Sequence, residues 1–66
     1  MNIYKKLRIE KGLSIRKLAK EIELSPSCIS RLETGVRKRP EIVTLQKYSQ
    51  FFNFPMEELV DKVMSQ

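Results

Sequence analysis

The fold is decided by residues 14–33, Ser-Ile-Arg-Lys-Leu-Ala-Lys-Glu-Ile-Glu-Leu-Ser-Pro-Ser-Cys-Ile-Ser-Arg-Leu-Glu. Ser14 is placed to cap one helix, and Ser25 followed by Pro26 is a start signal for the next. Leu24 lies in the turn between them, where it can fill the gap. Apolar residues recur at helical spacing on the inner face of both helices, namely Leu18, Ala19, Ile22, Ile29 and Leu32. The stretch therefore predicts a helix-turn-helix motif.

One further helix is predicted before this motif. Asn2 can cap it, it runs to about Lys11, and Gly12 is its left-handed stop. Ile3, Tyr4 and Leu7 form its apolar face, with Tyr4 expected in the core and its hydroxyl at the edge.

Two more helices are predicted after the motif. Gly35 is the residue that stops the third helix, and Pro40 opens a fourth, about Glu41 to Phe52. One face of this fourth helix carries Ile42, Leu45, Tyr48, Ser49 and Phe52. After the break at 53–55, a final helix from about Met56 has apolar Met56, Leu59, Val60 and Val63. No strand pattern is present, so the prediction is an all-α fold of five short helices in one domain, residues 1–66.

The composition argues against several functional classes. There is no His and a single Cys, Cys28, so we expect no metal site, no internal disulfide and no enzyme. Cys28 is interpreted as a small buried hydrophobe in a reducing, cytoplasmic setting, in a bacterial or phage-encoded protein. No apolar run approaches the roughly 20 residues of a membrane span, and no signal-peptide pattern is present. No cofactor and no small-molecule ligand is evident.

The charge is unevenly distributed along the chain. The net charge is +5, but residues 1–39 hold eleven Lys and Arg against four Glu, which is +7. Residues 40–66 hold two Lys against four acidic side chains, which is −2. A basic front half suggests that one side of the protein faces a polyanion.

The second helix of the motif is the one expected to face DNA. Side chains near the N-terminus of such a helix reach base edges in the major groove. The candidates for base reading on its outward side are Pro26, Ser27, Ser30 and Arg31. Arg31 can pair with guanine O6 and N7; the alternative is that Arg31 touches only phosphate or solvent.

Basic residues flanking that helix are interpreted as phosphate contacts. Arg37, Lys38 and Arg39 follow the helix directly, and a basic loop there can lie along the DNA backbone. Arg16 and Lys17 begin the preceding helix and would face the same DNA strand. The backbone N–H groups at the N-terminus of that helix would add to phosphate binding. Thr34 is a further candidate for this role.

With these residues located, the chain resembles the small helix-turn-helix domains of lambdoid phage repressors and Cro proteins, the XRE family. The likeness runs from about Tyr4 to Val60. The matching stretches are Leu7-Arg8, Lys11-Gly12-Leu13, Leu18-Ala19, Leu24-Ser25, Ile29-Ser30-Arg31-Leu32-Glu33-Thr34-Gly35 and Lys38-Arg39-Pro40. Their order and spacing together imply a lambda-repressor-like five-helix fold.

The resemblance also implies roles for individual residues. Arg8 and Glu33 match a pair that bridges the first helix to the end of the third. Both could instead be exposed, as charged side chains usually are. Ser25, Lys38 and Arg39 match positions that contact the DNA backbone, whereas Pro26, Ser27 and Arg31 match positions that read bases.

Three positions depart from the family pattern. Ile15 stands where the family usually has a phosphate-contacting Gln, so Arg16 is expected to supply part of that anchor. Glu23 stands where the family favours Gly in the turn; a non-glycine residue there costs about 1 kcal/mol, and we expect a slightly different turn. Pro26 cannot hydrogen-bond a base, which shifts base reading toward Ser27, Ser30 and Arg31.

These expectations add up to a sequence-specific transcriptional regulator of double-stranded DNA, a repressor binding a two-fold operator as a homodimer. The predicted dimer contact is Phe54, Val63 and Met64, because a chain this short cannot bury every apolar side chain. One alternative is an antitoxin-type protein whose main role is to bind a protein partner. The other is a membrane-surface peptide, against which the predicted globular core argues.

Overall fold

Five helical segments account for most of the described chain, which comprises residues 2–36 and 40–59 of a computed structural model. The first four are α1 (Ile3–Glu10), α2 (Ile15–Ile22), α3 (Pro26–Thr34) and α4 (Ile42–Phe52). A fifth helical segment occupies 56–59, and no strand occurs among the described residues. The predicted all-helical fold with five helices is confirmed.

The first three helices begin at the capping residues that the sequence predicts. The side chains of Asn2, Ser14 and Ser25 accept hydrogen bonds from the backbone N–H three residues later, at 3.0, 3.1 and 3.1 Å respectively. Each bond satisfies a backbone donor that has no partner within the helix. Pro26 follows at the first position of α3, where a missing N–H costs nothing.

Left-handed residues end each of the first four helices. Gly12 has φ +72° and Gly35 has φ +82°, as predicted for both. Around Gly12, the N–H of Leu13 donates to the carbonyl of Arg8 at 3.1 Å, which reverses the chain toward α2. Glu23 and Asn53 take the same conformation without being glycine, with φ of 57° and 50°.

The core lies where α1, α2, α3 and α4 meet. All five inner residues predicted for the helix-turn-helix are buried, and Leu24 packs partly buried against them. The other buried apolar side chains within 2–36 and 40–59 are Tyr4, Leu45, Tyr48 and Leu59. Because α3 is buried along one side only, its opposite side is left to face solvent.

Two buried tyrosines meet at the centre of this core. The rings of Tyr4 and Tyr48 are 5.0 Å apart and nearly perpendicular, at 79°. Both hydroxyls are buried and have no hydrogen-bond partner among the described residues, so the expected edge position of the Tyr4 hydroxyl is wrong. Burial raises the pKa of Tyr4 to about 12 and raises the pKa of Tyr48 further, since the apolar core disfavours phenolate.

The buried face of α4 differs from the predicted one at its first residue. Ile42 is 60% exposed, whereas Leu45 is 5% exposed. The buried side passes through Thr44, Leu45 and Tyr48, and Ile42 lies about a third of a turn from its centre at 3.6 residues per turn. Val43 beside it is also exposed, at 57%.

Candidate nucleic-acid interface

The turn between α2 and α3 keeps a tight geometry despite its unexpected residue. Glu23 adopts φ 57° and ψ 48°, the left-handed conformation that glycine takes most readily. The N–H of Leu24 donates to the carbonyl of Ala19 at 3.0 Å, which closes the end of α2. Glu23 therefore adopts the conformation that glycine would take, at a cost in backbone strain.

The outer side of α3 presents most of the residues expected to read bases. Pro26, Ser27 and Arg31 are exposed. Ser30 is half-buried, which leaves it less accessible than its three companions. Because Ile29 and Leu32 anchor the inner side of α3, the outer residues are held on a fixed support.

The N-terminus of α2 carries two basic side chains that are candidates for phosphate contact. Arg16 and Lys17 are both exposed in the first turn of α2. The Lys17 ammonium lies 4.0 Å from the Glu21 carboxylate, but both side chains are largely solvated. A solvated pair of this kind contributes little, so Lys17 remains available to another anion.

The remaining candidates for phosphate contact are Ser25, Thr34 and the basic run at 37–39. Ser25 is exposed, and its hydroxyl oxygen caps α3 by accepting the Cys28 N–H, which leaves the hydroxyl hydrogen free to be donated. Thr34 is exposed, and its hydroxyl is 3.4 Å from the Arg31 carbonyl. Arg37, Lys38 and Arg39 lie outside the described residues.

Arg8 and Glu33 are brought together by the fold. Arg8 donates through Nε and Nη2 to the two Glu33 carboxylate oxygens, at 2.6 and 2.9 Å. Its Nη1 also donates to the Leu13 carbonyl at 2.8 Å. The side chains are only 12% and 4% exposed, and the hydrogen bonds to Glu33 raise the pKa of Arg8 above its ordinary value. The pair holds the end of α3 against α1.

Two supporting contacts involve residues that sequence patterns did not single out for the site. The Lys47 ammonium on α4 donates to the carbonyl of Glu23, at 3.2 Å. The Asn2 side-chain amide donates to the carbonyl of Leu32, in the last turns of α3. Both contacts join residues more than 20 positions apart, so local spacing carries no signal for either.

The predicted dimer residues are only partly described. Phe54 is half-buried and packs against the core, and the Ser49 hydroxyl donates to its carbonyl at 2.7 Å. Val63 and Met64 lie outside the described residues.

Among 2–36 and 40–59, no group of three His, Cys, Asp or Glu side chains could hold a metal ion. Cys28 is half-buried instead of fully buried. No helix within the same described part is both long and apolar enough to cross a bilayer.

Comparison with known proteins places most of the chain in a protein family. A family model described as "Helix-turn-helix" matches residues 5–59. The match begins in α1, includes both helices of the motif and ends in the fifth helical segment. No curated protein and no solved structure matches the chain significantly.

Proposed function

The chain belongs to the XRE-type helix-turn-helix family of DNA-binding regulators, and we propose that it is a sequence-specific repressor that binds a two-fold operator as a homodimer. The observation that carries this proposal is the outer side of α3. It is exposed and carries Arg31, Ser27 and Pro26, while its inner side is fixed in the core. In this motif α3 is the recognition helix, whose outer residues enter the major groove.

Arg31 is the residue we assign to base reading. Its guanidinium is exposed on the outer side of the recognition helix, and a bidentate contact with guanine is the commonest specific contact in such complexes. Ser27 and the half-buried Ser30 add shorter hydrogen-bonding groups. Pro26 offers only an apolar surface, which suits contact with a thymine methyl group.

We assign phosphate contacts to the rim around the recognition helix. Arg16 and Lys17 supply charge from α2, the Ser25 hydroxyl supplies a donor at the N-terminus of α3, and the exposed Thr34 lies at its C-terminus. The basic run Arg37, Lys38 and Arg39 continues from the C-terminal end of that helix. These contacts give affinity that falls with salt and carries little base preference.

The way in which dimers of this motif meet DNA supports the two-fold arrangement that we propose. One recognition helix reads one half-site, and two copies related by a two-fold axis read half-sites about one helical turn apart. We propose Phe54, Val63 and Met64 for the contact between copies. Repression is supported by the resemblance to lambdoid repressors and Cro proteins. Sedimentation at micromolar concentration, with and without DNA, tests the dimer; a strictly monomeric protein in both cases would rule it out.

Base reading is tested on DNA selected from a random pool by the purified protein. Arg31→Ala is then titrated against the selected site and single-base variants at fixed salt. We expect discrimination at one base pair to fall by about 5- to 150-fold, equivalent to about 1–3 kcal/mol. Equal weakening on every sequence would show that Arg31 contacts only phosphate.

Lys17→Ala is the matched control, because it also removes one positive charge from the motif. It should weaken binding uniformly across sequences and lower the slope of log affinity against log salt by about 1. Failure of the wild-type protein to select any sequence from the pool would contradict sequence-specific binding altogether.

A further inference from the structure

The turn that orients the recognition helix is held from outside the motif. Lys47, near the middle of α4, donates a hydrogen bond from its ammonium to the Glu23 carbonyl, at 3.2 Å. Glu23 is the left-handed residue at the C-terminus of α2. The contact therefore joins α4 to the single residue at which the chain turns from α2 toward α3.

Glu23 has an intrinsic tendency to leave this conformation. A side chain at positive φ crowds the following carbonyl, at a cost of about 1–2 kcal/mol that glycine does not bear. Such strained residues persist only where surrounding contacts hold them. At this position the N–H groups of Glu23 and Leu24 both donate to the Ala19 carbonyl, and the Lys47 ammonium is the contact that comes from another helix.

The position of Lys47 suits this task. Carbonyl groups at a helix C-terminus carry the negative end of the helix dipole, so a cation there is favourable. Lys47 is half-buried and lines an open depression with Glu21, Glu23 and Gln50, and its hydrogen bond to the Glu23 carbonyl places the ammonium at the turn.

We propose that Lys47 is a positioning residue for the recognition helix, which compensates for the absence of glycine at position 23. By fixing the Glu23 carbonyl, Lys47 keeps φ of Glu23 positive and so keeps α3 at the angle that DNA docking requires. Loss of the ammonium lets the turn relax, which lowers the fraction of molecules ready to bind DNA. The expected loss of DNA affinity rests on the proposed function, whereas the expected change in the conformation of Glu23 does not.

A double-mutant cycle tests the proposal, using Lys47→Met and Glu23→Gly singly and together. Each variant is titrated with the selected DNA at a temperature where circular dichroism shows it fully folded. We expect Lys47→Met to weaken binding by about three- to tenfold, and to have almost no effect when combined with Glu23→Gly. The same charge is lost in both backgrounds, so an equal loss of affinity in both would mean that Lys47 acts through charge alone and would overturn the proposal.

Two controls separate the hydrogen bond from other contributions. Lys47→Arg keeps a cationic donor and should bind DNA as the wild type does. Glu23→Gln removes the carboxylate but keeps the strained backbone, so the loss caused by Lys47→Met should persist in that background. If Lys47→Met does not weaken DNA binding in the Glu23→Gln background, Lys47 acts by attracting the Glu23 carboxylate, and the proposal is wrong.

A second readout is independent of DNA. The scalar coupling between the amide and α protons of residue 23 reports its φ by nuclear magnetic resonance. We expect the coupling to move away from its left-handed value in Lys47→Met and to be restored in Lys47→Arg. An unchanged coupling would overturn the role of Lys47. If the wild type binds no DNA, the proposed function fails, while this measurement still decides the question of the turn.

Discussion

Arg8 and Glu33 form a two-pronged ion pair that fastens the end of the recognition helix to α1. Both Glu33 oxygens accept a hydrogen bond from the guanidinium, and a third nitrogen of Arg8 binds the Leu13 carbonyl. Since both side chains are almost buried, neither can regain water if the other is removed. Loss of the pair should therefore destabilise the fold and also release the end of α3 from α1.

Glu33→Gln should destabilise the protein by about 3 kcal/mol, because it leaves the nearly buried Arg8 charge without its counter-ion. That is a large part of the roughly 3–10 kcal/mol expected for a domain of this size. Urea unfolding followed by circular dichroism measures the change. Glu21→Gln, which breaks the exposed contact with Lys17, is the matched control and should cost under about 1 kcal/mol. Equal costs for the two variants would contradict the role assigned to the Arg8–Glu33 pair.

Ser25 caps α3 and is proposed to contact DNA phosphate, and substitution can separate these two roles. Ser25→Ala removes the cap of α3 and should lower the free energy of unfolding by about 1 kcal/mol. Ser25→Asp retains a capping oxygen and should leave stability close to that of the wild type. The same carboxylate would repel DNA phosphate, so DNA affinity should fall strongly although the fold is intact. Unimpaired DNA binding by Ser25→Asp would remove Ser25 from the phosphate-contacting set.

Two aliphatic residues on α4 should respond very differently to truncation. Leu45→Ala opens a cavity at a site that is 5% exposed, so we expect a loss of about 2–5 kcal/mol in unfolding free energy. Ile42→Ala changes a side chain that is 60% exposed and should lie within about 0.5 kcal/mol of the wild type. Thermal and urea unfolding of both variants check this. A large cost at Ile42 would mean that its exposed side is covered in solution.

The buried tyrosines should make the fold sensitive to alkali. The pKa of each tyrosine is raised on folding from an ordinary value of 10.0, so each contributes stability that is fully present below pH 10 and lost as the pH rises further. Above pH 10 the unfolded chain releases protons that the folded chain retains. The unfolding free energy should then fall by up to about 1.4 kcal/mol per pH unit for each tyrosine. Urea titrations between pH 8 and about pH 12 measure this slope.

Tyr4→Phe is the control for the alkaline effect. It removes one of the two titrating hydroxyls and should halve the slope above pH 10. At neutral pH it should be at least as stable as the wild type, because the deleted hydroxyl is buried without a hydrogen-bond partner among the described residues. Tyrosinate absorbance that appears at pH 10 in the folded protein would show that the phenols are accessible to solvent.

Much of the fold could be predicted from the sequence, because it depends on contacts between near neighbours in the chain. The caps at Asn2, Ser14 and Ser25 and the left-handed glycines at 12 and 35 act over three to five residues. The apolar spacing within 14–33 likewise gave the inner faces of α2 and α3, and hence which side of α3 faces outward.

The family resemblance implied the Arg8–Glu33 pair, but the other contacts between distant segments emerged only from the tertiary structure. The exposure of Ile42 depends on where the buried side of α4 is centred. The burial of the two tyrosine hydroxyls depends on how α1 and α4 meet in the core. The contact of Lys47 with Glu23 spans 24 positions, so no periodic pattern could reveal it. Local hydrogen bonding and the spacing of apolar residues determined the helices and the helix-turn-helix. The burial of the tyrosine hydroxyls and the support of the Glu23 turn by Lys47 arose only from long-range packing.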